Sequence, residues 1–213
     1  MCPWCYIGKR RFETGLAQID DDLGVDFDIT YHAYQLDPTA APGVATPVRE
    51  AYAKKFGGPE RADEILSHVT NAAAEDGITF HMDQALRANT LLAHRMIWLA
   101  GQPGSPVAQP AMKERLMQAY FTDGDHVGTP EVLASCAAEL GFGHDDIEEF
   151  LSSDRGVAEV QAELDDAHQN GITAVPTYVV NREWAVPGAQ DADTFEKVLR
   201  KMAANALGAA GTA

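Results

Sequence analysis

Apolar positions along the chain change their period several times, and each change marks an element. From Cys5 to Leu23, Ile7, Phe12, Leu16, Ile19 and Leu23 recur three to five residues apart, with Gly24 behind them, which predicts a helix. From Val25 to Leu36 the pattern alternates: Val25, Phe27, Ile29 and Tyr31 share one face, with Asp26, Asp28 and Thr30 between them. Period two predicts a strand, ended by Asp37-Pro38 and followed by an Ala-, Pro- and Gly-rich loop over 39–47. The middle of the chain returns to helical spacing. Helices are predicted over 47–56, 60–76, 84–100, 108–121, 130–140 and 145–151, separated by glycine-containing punctuation, with a short extended segment at 77–82. Thr129-Pro130-Glu131 sets an N-cap, a first-turn proline and an early acid in order. Beyond 151 come a helix over 154–170, a β-rich run over 174–180, a turn at Asn181-Arg182, a second short strand over 183–186 and a closing helix over 191–207. Phe195, Val198, Leu199 and Met202 share one face of that last helix, and 208–213 is a small-residue tail expected to be disordered.

The resulting order is helix, strand, helical block, helix, strand, strand, helix. It is an α/β plan of thioredoxin type with a large α-helical insertion. The expected division is 1–45 with 152–207 as the thioredoxin-like domain, 46–151 as the inserted helical domain, and 208–213 as tail. One part of the plan is absent, because a core strand should precede the first helix and only Met1 stands before Cys2.

Composition narrows the function. The 213 residues carry 32 acidic against 16 basic side chains, a formal charge of -16 that speaks against nucleic acid or an anionic membrane surface as partner. The opening Met-Cys-Pro-Trp-Cys has no basic region ahead of an apolar one, and no apolar run approaches the ~20 residues of a membrane span. The expected compartment is therefore cytoplasmic, where structural disulfides are rare. In that setting, two of the three cysteines standing three residues apart point to redox or metal chemistry rather than to a structural cross-link.

At the first turn of a helix, residues i and i+3 are close enough for Cys2 and Cys5 to pair. Cys2 would sit among unpaired backbone N–H groups at the positive end of the helix dipole, which favours its thiolate and makes it the attacking sulfur. Cys5, one turn further in, would resolve the mixed disulfide. Pro3 suits the first helical position, and Trp4 would cover the pair and pack on a substrate. A zinc site would need two further ligands, and no second Cys-x-x-Cys or His-x-x-x-His follows. Gly171-Ile172-Thr173-Ala174-Val175-Pro176-Thr177 offers a second signal. Pro176 is either a trans proline opening an edge strand or a cis proline opposite the cysteines, and the Cys-Pro-Trp-Cys run favours the latter. In that geometry the backbone of Val175 can pair with an extended substrate.

Cys2-Pro3-Trp4-Cys5-Tyr6-Ile7-Gly8-Lys9, Tyr34-Gln35-Leu36-Asp37-Pro38, Asn89-Thr90 with Ala93-His94-Arg95, Tyr120-Phe121 with Gly124-Asp125, Val175-Pro176-Thr177 and Pro187-Gly188-Ala189-Gln190 together resemble the DsbA-like thioredoxin-fold oxidoreductases, in particular their cytoplasmic FrnE-type branch. The resemblance spans about residues 2–207. It implies dithiol–disulfide exchange with Cys2 as nucleophile, Cys5 as resolving thiol and Pro176 as the cis proline. It makes Asn89, His94 and Gln190 candidates for lining the substrate cleft, although His94 reads equally as a helix-face histidine, and Asn89 and Gln190 as capping or loop residues. Cys136 reads as a core cysteine of a small apolar helix. Members of the family carry a strand ahead of the active-site run, so Met1 is expected to be an internal methionine with the true start upstream; the rival reading takes the chain as written and compromised.

The expected activity is a protein-disulfide oxidoreductase acting on thiol- or disulfide-containing proteins or small molecules, as monomer or homodimer. It needs no bound cofactor or metal and takes glutathione at most as a co-substrate. Two alternatives stay open. One is a glutathione-dependent isomerase or transferase, resembling the 2-hydroxychromene-2-carboxylate isomerases and kappa-class glutathione transferases; those carry serine where Cys2 stands. The other is a non-catalytic binding or holdase protein.

Overall fold

A computed structural model describes residues 1–19 and 23–210. Packing divides the chain into two compact units. One comprises residues 2–29 and 172–213, the other Met1 with residues 30–171. The second unit is thus inserted in the first, as the patterning implies, but the cuts fall at 29/30 and 171/172 rather than at 45/46 and 151/152. The helix before the second cut explains the difference. Val160 and Leu164 on it form one apolar cluster with Ala33, Leu91 and Trp98, so burial ties it and the chain after Thr30 to the helical unit.

The smaller unit contains α1 (Pro3–Ala17), the antiparallel hairpin β3 (Thr177–Val180) and β4 (Trp184–Pro187), and α9 (Ala192–Ala210). Its core is aromatic. Phe12 of α1 stacks on Tyr178 of β3 at 5.3 Å between ring centroids, and Phe195 of α9 meets both edge-on, at 5.4 and 4.6 Å. Gly15 lets the two helices touch. A Cβ there would lie 2.6 Å from the Ala192 carbonyl oxygen and 2.9 Å from the Phe195 Cβ, so α1 and α9 could not approach this closely with any side chain at 15. Asn181 and Arg182, the expected turn, both have positive φ and close the hairpin with Val180 paired to Trp184. Helix α9 runs through Ala210, further than expected; the remainder of the expected tail lies outside the described residues.

The larger unit holds β1 (Thr46–Pro47) and β2 (Leu86–Arg87), paired antiparallel, with α2 (Val48–Phe56), α3 (Pro59–Glu75), α4 (Leu91–Ala100), α5 (Gln109–Gln118), a π-helical turn (Ala119–Asp123), α6 (Pro130–Leu140), α7 (His144–Ser152) and α8 (Val157–Gln169). Helix α6 has its expected bounds, but Thr129 donates its hydroxyl to the His126 carbonyl instead of capping it.

Four expectations change. Helix α1 ends at Ala17; its expected continuation to Leu23 runs through 20–22, outside the described residues. The helix expected from 84 begins only at Leu91. Ala85 gives its carbonyl to the Val48 N–H, Leu86 pairs with Pro47, and the Asn89 side-chain oxygen accepts the Leu91 N–H, which commits 84–90 to a bend. No strand forms over 77–82, where the His81 N–H is held by the Phe121 carbonyl. The predicted strand over 25–36 alternates in burial as its sequence does, yet it belongs to no ladder. Helix side chains take the place of a neighbouring strand there. Gln109 accepts from the Tyr31 N–H at 2.8 Å and donates to the Tyr31 carbonyl at 2.9 Å. Glu163 accepts the Ala33 N–H at 2.7 Å, and His94 bonds the Tyr34 carbonyl. Among the described residues no strand stands before α1, and the sheet of the smaller unit is the two-stranded hairpin.

Candidate redox site

The smaller unit assembles the site. Cys2 is the N-cap of α1 in extended conformation, followed by Pro3 in the first turn, and Cys5 comes one turn in, its N–H 3.2 Å from the Cys2 carbonyl. Both thiols are half-buried and unoxidised, Pro3 is buried and Trp4 half-buried. The Cys2 thiol is drawn down from its ordinary 9 to about 7. The hydrogen bond from the Cys5 side chain is the main cause, opposed by burial and assisted by the Cys5 and Trp4 backbone N–H groups. A thiol of this kind is substantially thiolate at neutral pH, the form that attacks disulfides.

Opposite it lies the loop before β3. The Val175–Pro176 peptide is cis, and the Val175 carbonyl accepts the Cys2 thiol at 3.5 Å. The loop is tied on its far side, where Gly188 donates to the Pro176 carbonyl at 2.8 Å and Arg11 of α1 to the Ala189 carbonyl at 3.1 Å. Gly8 decides how closely helix and loop meet. A Cβ on it would lie 2.6 Å from the Tyr178 hydroxyl, 3.1 Å from Pro176 and 3.2 Å from Ala189, and the Phe12 and Phe195 rings leave Tyr178 little room to withdraw. Cys2, Cys5, Val175 and Pro176 are thus brought together. Gln190, in the same unit, returns its amide to the Pro187 carbonyl at 2.6 Å and so holds the turn into α9.

Asn89 and His94 belong to the larger unit, each with a local partner. Asn89 donates to the Ala40 carbonyl at 2.7 Å and accepts from the Leu91 N–H and from Gln35, which makes it the clasp between two loops and α4. His94 Nε2 lies 3.1 Å from the Tyr34 carbonyl, and an oxygen that can only accept fixes the proton on Nε2. Burial, helped by Lys113, pushes its imidazole down to about 4. Its folded value lies below the unfolded 6.5, so stability is complete above 6.5 and is lost as pH falls toward 4, while the carboxylates are still charged. His94→Gln should flatten the fall of the urea midpoint between pH 6.5 and 4.5; an unchanged slope would refute this assignment. Cys136 is buried in α6 and its thiol is raised to about 11 by burial, the inert core cysteine its surroundings suggested. The described residues include one trio with metal-ligand chemistry in reach, His144, Asp145 and Glu148, all exposed and remote in sequence from Cys2 and Cys5.

Residues 1–200 match the DSBA-like thioredoxin domain. The chain belongs to that family. Its architecture is accordingly the DsbA-like thioredoxin fold with a helical insertion. Among solved structures it is similar to a probable DsbA oxidoreductase from Streptomyces coelicolor, at 29% identity and a TM-score of 0.85, over 94% of this chain and 85% of that one. It also shares its fold with the cytosolic disulfide reductase DsbM from Pseudomonas aeruginosa, solved with GSH, at 18% identity and TM-score 0.60, over 94% of each chain. The uncharacterized protein YwbO of Bacillus subtilis (strain 168) is 24% identical over 93% of this chain and 91% of its own length. No helix of the described residues in this DsbA-like chain is long and apolar enough to cross a membrane.

Two residues of the DsbA-like site escaped the sequence reading as individuals. Gly8 was legible as a glycine inside a helical pattern, a position that usually has a packing reason. Tyr178 carried no such signal, because its hydroxyl reaches Gly8 only through the hairpin.

Proposed function

We propose that this chain is a thiol–disulfide oxidoreductase working through Cys2 and Cys5. The observation that carries the reading is the Cys2 thiol at the start of α1, lowered to about 7 chiefly by Cys5 and set 3.5 Å from the carbonyl before Pro176. In the forward step the Cys2 thiolate attacks a substrate disulfide, forming a mixed disulfide and releasing one substrate thiol. Cys5 then attacks Cys2, the second substrate thiol leaves, and the enzyme holds a Cys2–Cys5 disulfide; an external dithiol or two glutathiones restore the reduced pair. Val175 and Pro176 offer an extended substrate a backbone partner beside the sulfurs, with Pro3 and Trp4 forming the floor.

The substrate class we infer is a protein or small-molecule disulfide, with glutathione as co-substrate and the cytosol as compartment. The disulfide reductase solved with GSH on the same fold is in keeping with this. A glutathione-dependent isomerase is less favoured, because residue 2 is a cysteine held as a nucleophile by a second cysteine, and retention of isomerisation by Cys2→Ser would be its signature. The deciding experiment is equilibration in glutathione buffers of graded poise, alkylation of the remaining thiols and mass spectrometry. A reversible Cys2–Cys5 disulfide with one potential is expected. Independent alkylation of both thiols at every poise would leave a binding role as the better account.

A further inference from the structure

Resolution of the mixed disulfide demands more of Cys5 than attack demands of Cys2. Once Cys2 is bonded to substrate it can no longer hold a negative charge, and Cys5 must lose its proton without that partner. Tyr178 abuts Gly8 through its hydroxyl, Tyr6 follows Cys5 directly, and four charged residues stand on the helix itself, Lys9, Arg10, Arg11 and Glu13; Arg11 turns to the Ala189 carbonyl and Arg10 lies over the Tyr6 ring.

Cys5, Lys9 and Glu13 follow one another at intervals of four, so they form one stripe along α1. Helical side chains lean toward the N-terminus, which sets Lys9 over the turn that carries Cys5 and Glu13 over the turn that carries Lys9. Lys9 is only 4% exposed, which is rare for a lysine, and its ammonium is 2.7 Å from a Glu13 carboxylate oxygen that is itself partly in solvent. A buried ammonium is costly to desolvate, and a hydrophobic side chain would fill such a position more cheaply. Its field acts on whatever charge develops one turn above it, through a medium that screens poorly.

We propose that Lys9, held by Glu13, is the positioning residue of the resolving step, favouring the Cys5 thiolate while Cys2 is tied up in the mixed disulfide. The proposal rests on the exchange reading above. In the step, the Cys5–Cys2 sulfur bond forms and the bond from Cys2 to the substrate sulfur breaks. The electron pair departs with that sulfur, which takes up the proton Cys5 gave to solvent; the enzyme dithiol is oxidised and the substrate disulfide reduced.

An aromatic disulfide, 5,5′-dithiobis(2-nitrobenzoate), separates the two events, because Cys2 attack and Cys5 resolution each release one coloured thiolate. In Lys9→Met the first release should stay within about twofold of wild type. The second should slow by roughly tenfold at pH 7, its pH profile displaced upward by about one unit. Lys9→Arg, which keeps the charge, should restore most of the second phase. An unchanged second phase in Lys9→Met overturns the proposal. So does a slow second phase that Lys9→Arg fails to rescue and whose pH profile has not moved, since that marks a packing role. Absence of any second release in the wild type overturns the exchange reading itself and the role of Lys9 with it.

Discussion

Cys2→Ser abolishes disulfide exchange, leaving only the rate set by the external reductant, and Cys5→Ala still attacks, more slowly at neutral pH, but strands the substrate on Cys2: these are the expected results for the largest functional effect. In the wild type, the rate of Cys2 alkylation by iodoacetamide should rise with pH and reach half its plateau near pH 7. The sign follows from the thiolate being the nucleophile. Below the inflection, each unit of acid removes about nine-tenths of the reactive form. Because the Cys5 side chain is the first cause of the lowered value, Cys5→Ala should move the inflection toward the ordinary 9, more than any substitution at Trp4 does. An inflection that stays near 7 in Cys5→Ala would mean that the helix end, not the partner thiol, activates Cys2.

The largest expected effect on stability comes from Arg95, in the helical unit. Its guanidinium is almost wholly buried and collects the carbonyls of Phe150, Leu151, Ser153 and Arg155 at 2.7–3.2 Å, with the Phe150 ring 4.9 Å beneath it. These are carbonyls at and beyond the end of α7, where no further turn of helix exists to receive them and where the helix dipole is negative. Burial pulls the guanidinium below its usual range, yet it remains charged at any working pH. Arg95→Met keeps most of the volume and removes every donor, which leaves the buried Leu151 carbonyl without its partner and takes the guanidinium from the part-buried Ser153 and Arg155 carbonyls. A loss of about 3–5 kcal/mol in urea unfolding is expected. Arg95→Lys should recover only part of it, because an ammonium cannot span four carbonyls as the planar fork does. A loss below about 1 kcal/mol would show that water replaces the guanidinium freely.

Several parts of this molecule could be read before its structure was seen, and the reason is local. Helix α6 begins and ends where Thr129-Pro130-Glu131 and Gly141 say it must, because first-turn and C-cap preferences act within a few residues. The Asn181-Arg182 turn, the hairpin around it, and Cys2 at the head of α1 are of the same kind. The late start of α4 was not legible. Residues 84–90 have helical periodicity, but Val48 and Ala40, some forty residues upstream, claim the backbone carbonyl of Ala85 and the side chain of Asn89. The alternating run 25–36 shows the converse. Its sequence specified which residues turn inward, while strand identity depends on a neighbour, and Gln109, Glu163 and His94 supply that contact instead.

The sequence by itself determined the candidate chemistry: two cysteines one helical turn apart with Pro3 and Trp4 between them, a proline before a β-rich run, an acidic chain of helices inserted between the halves of a smaller unit. Tertiary structure alone decided the environment of that chemistry. It set the Val175 carbonyl against Cys2, kept α1 and the Pro176 loop at a distance that only Gly8 permits, gave Asn89, His94 and Gln190 their local partners, and buried Lys9 one turn below Cys5. Spacing along a helix is encoded within a few residues, whereas desolvation and carbonyl placement arise when distant segments, such as Cys2 and Val175, are folded together.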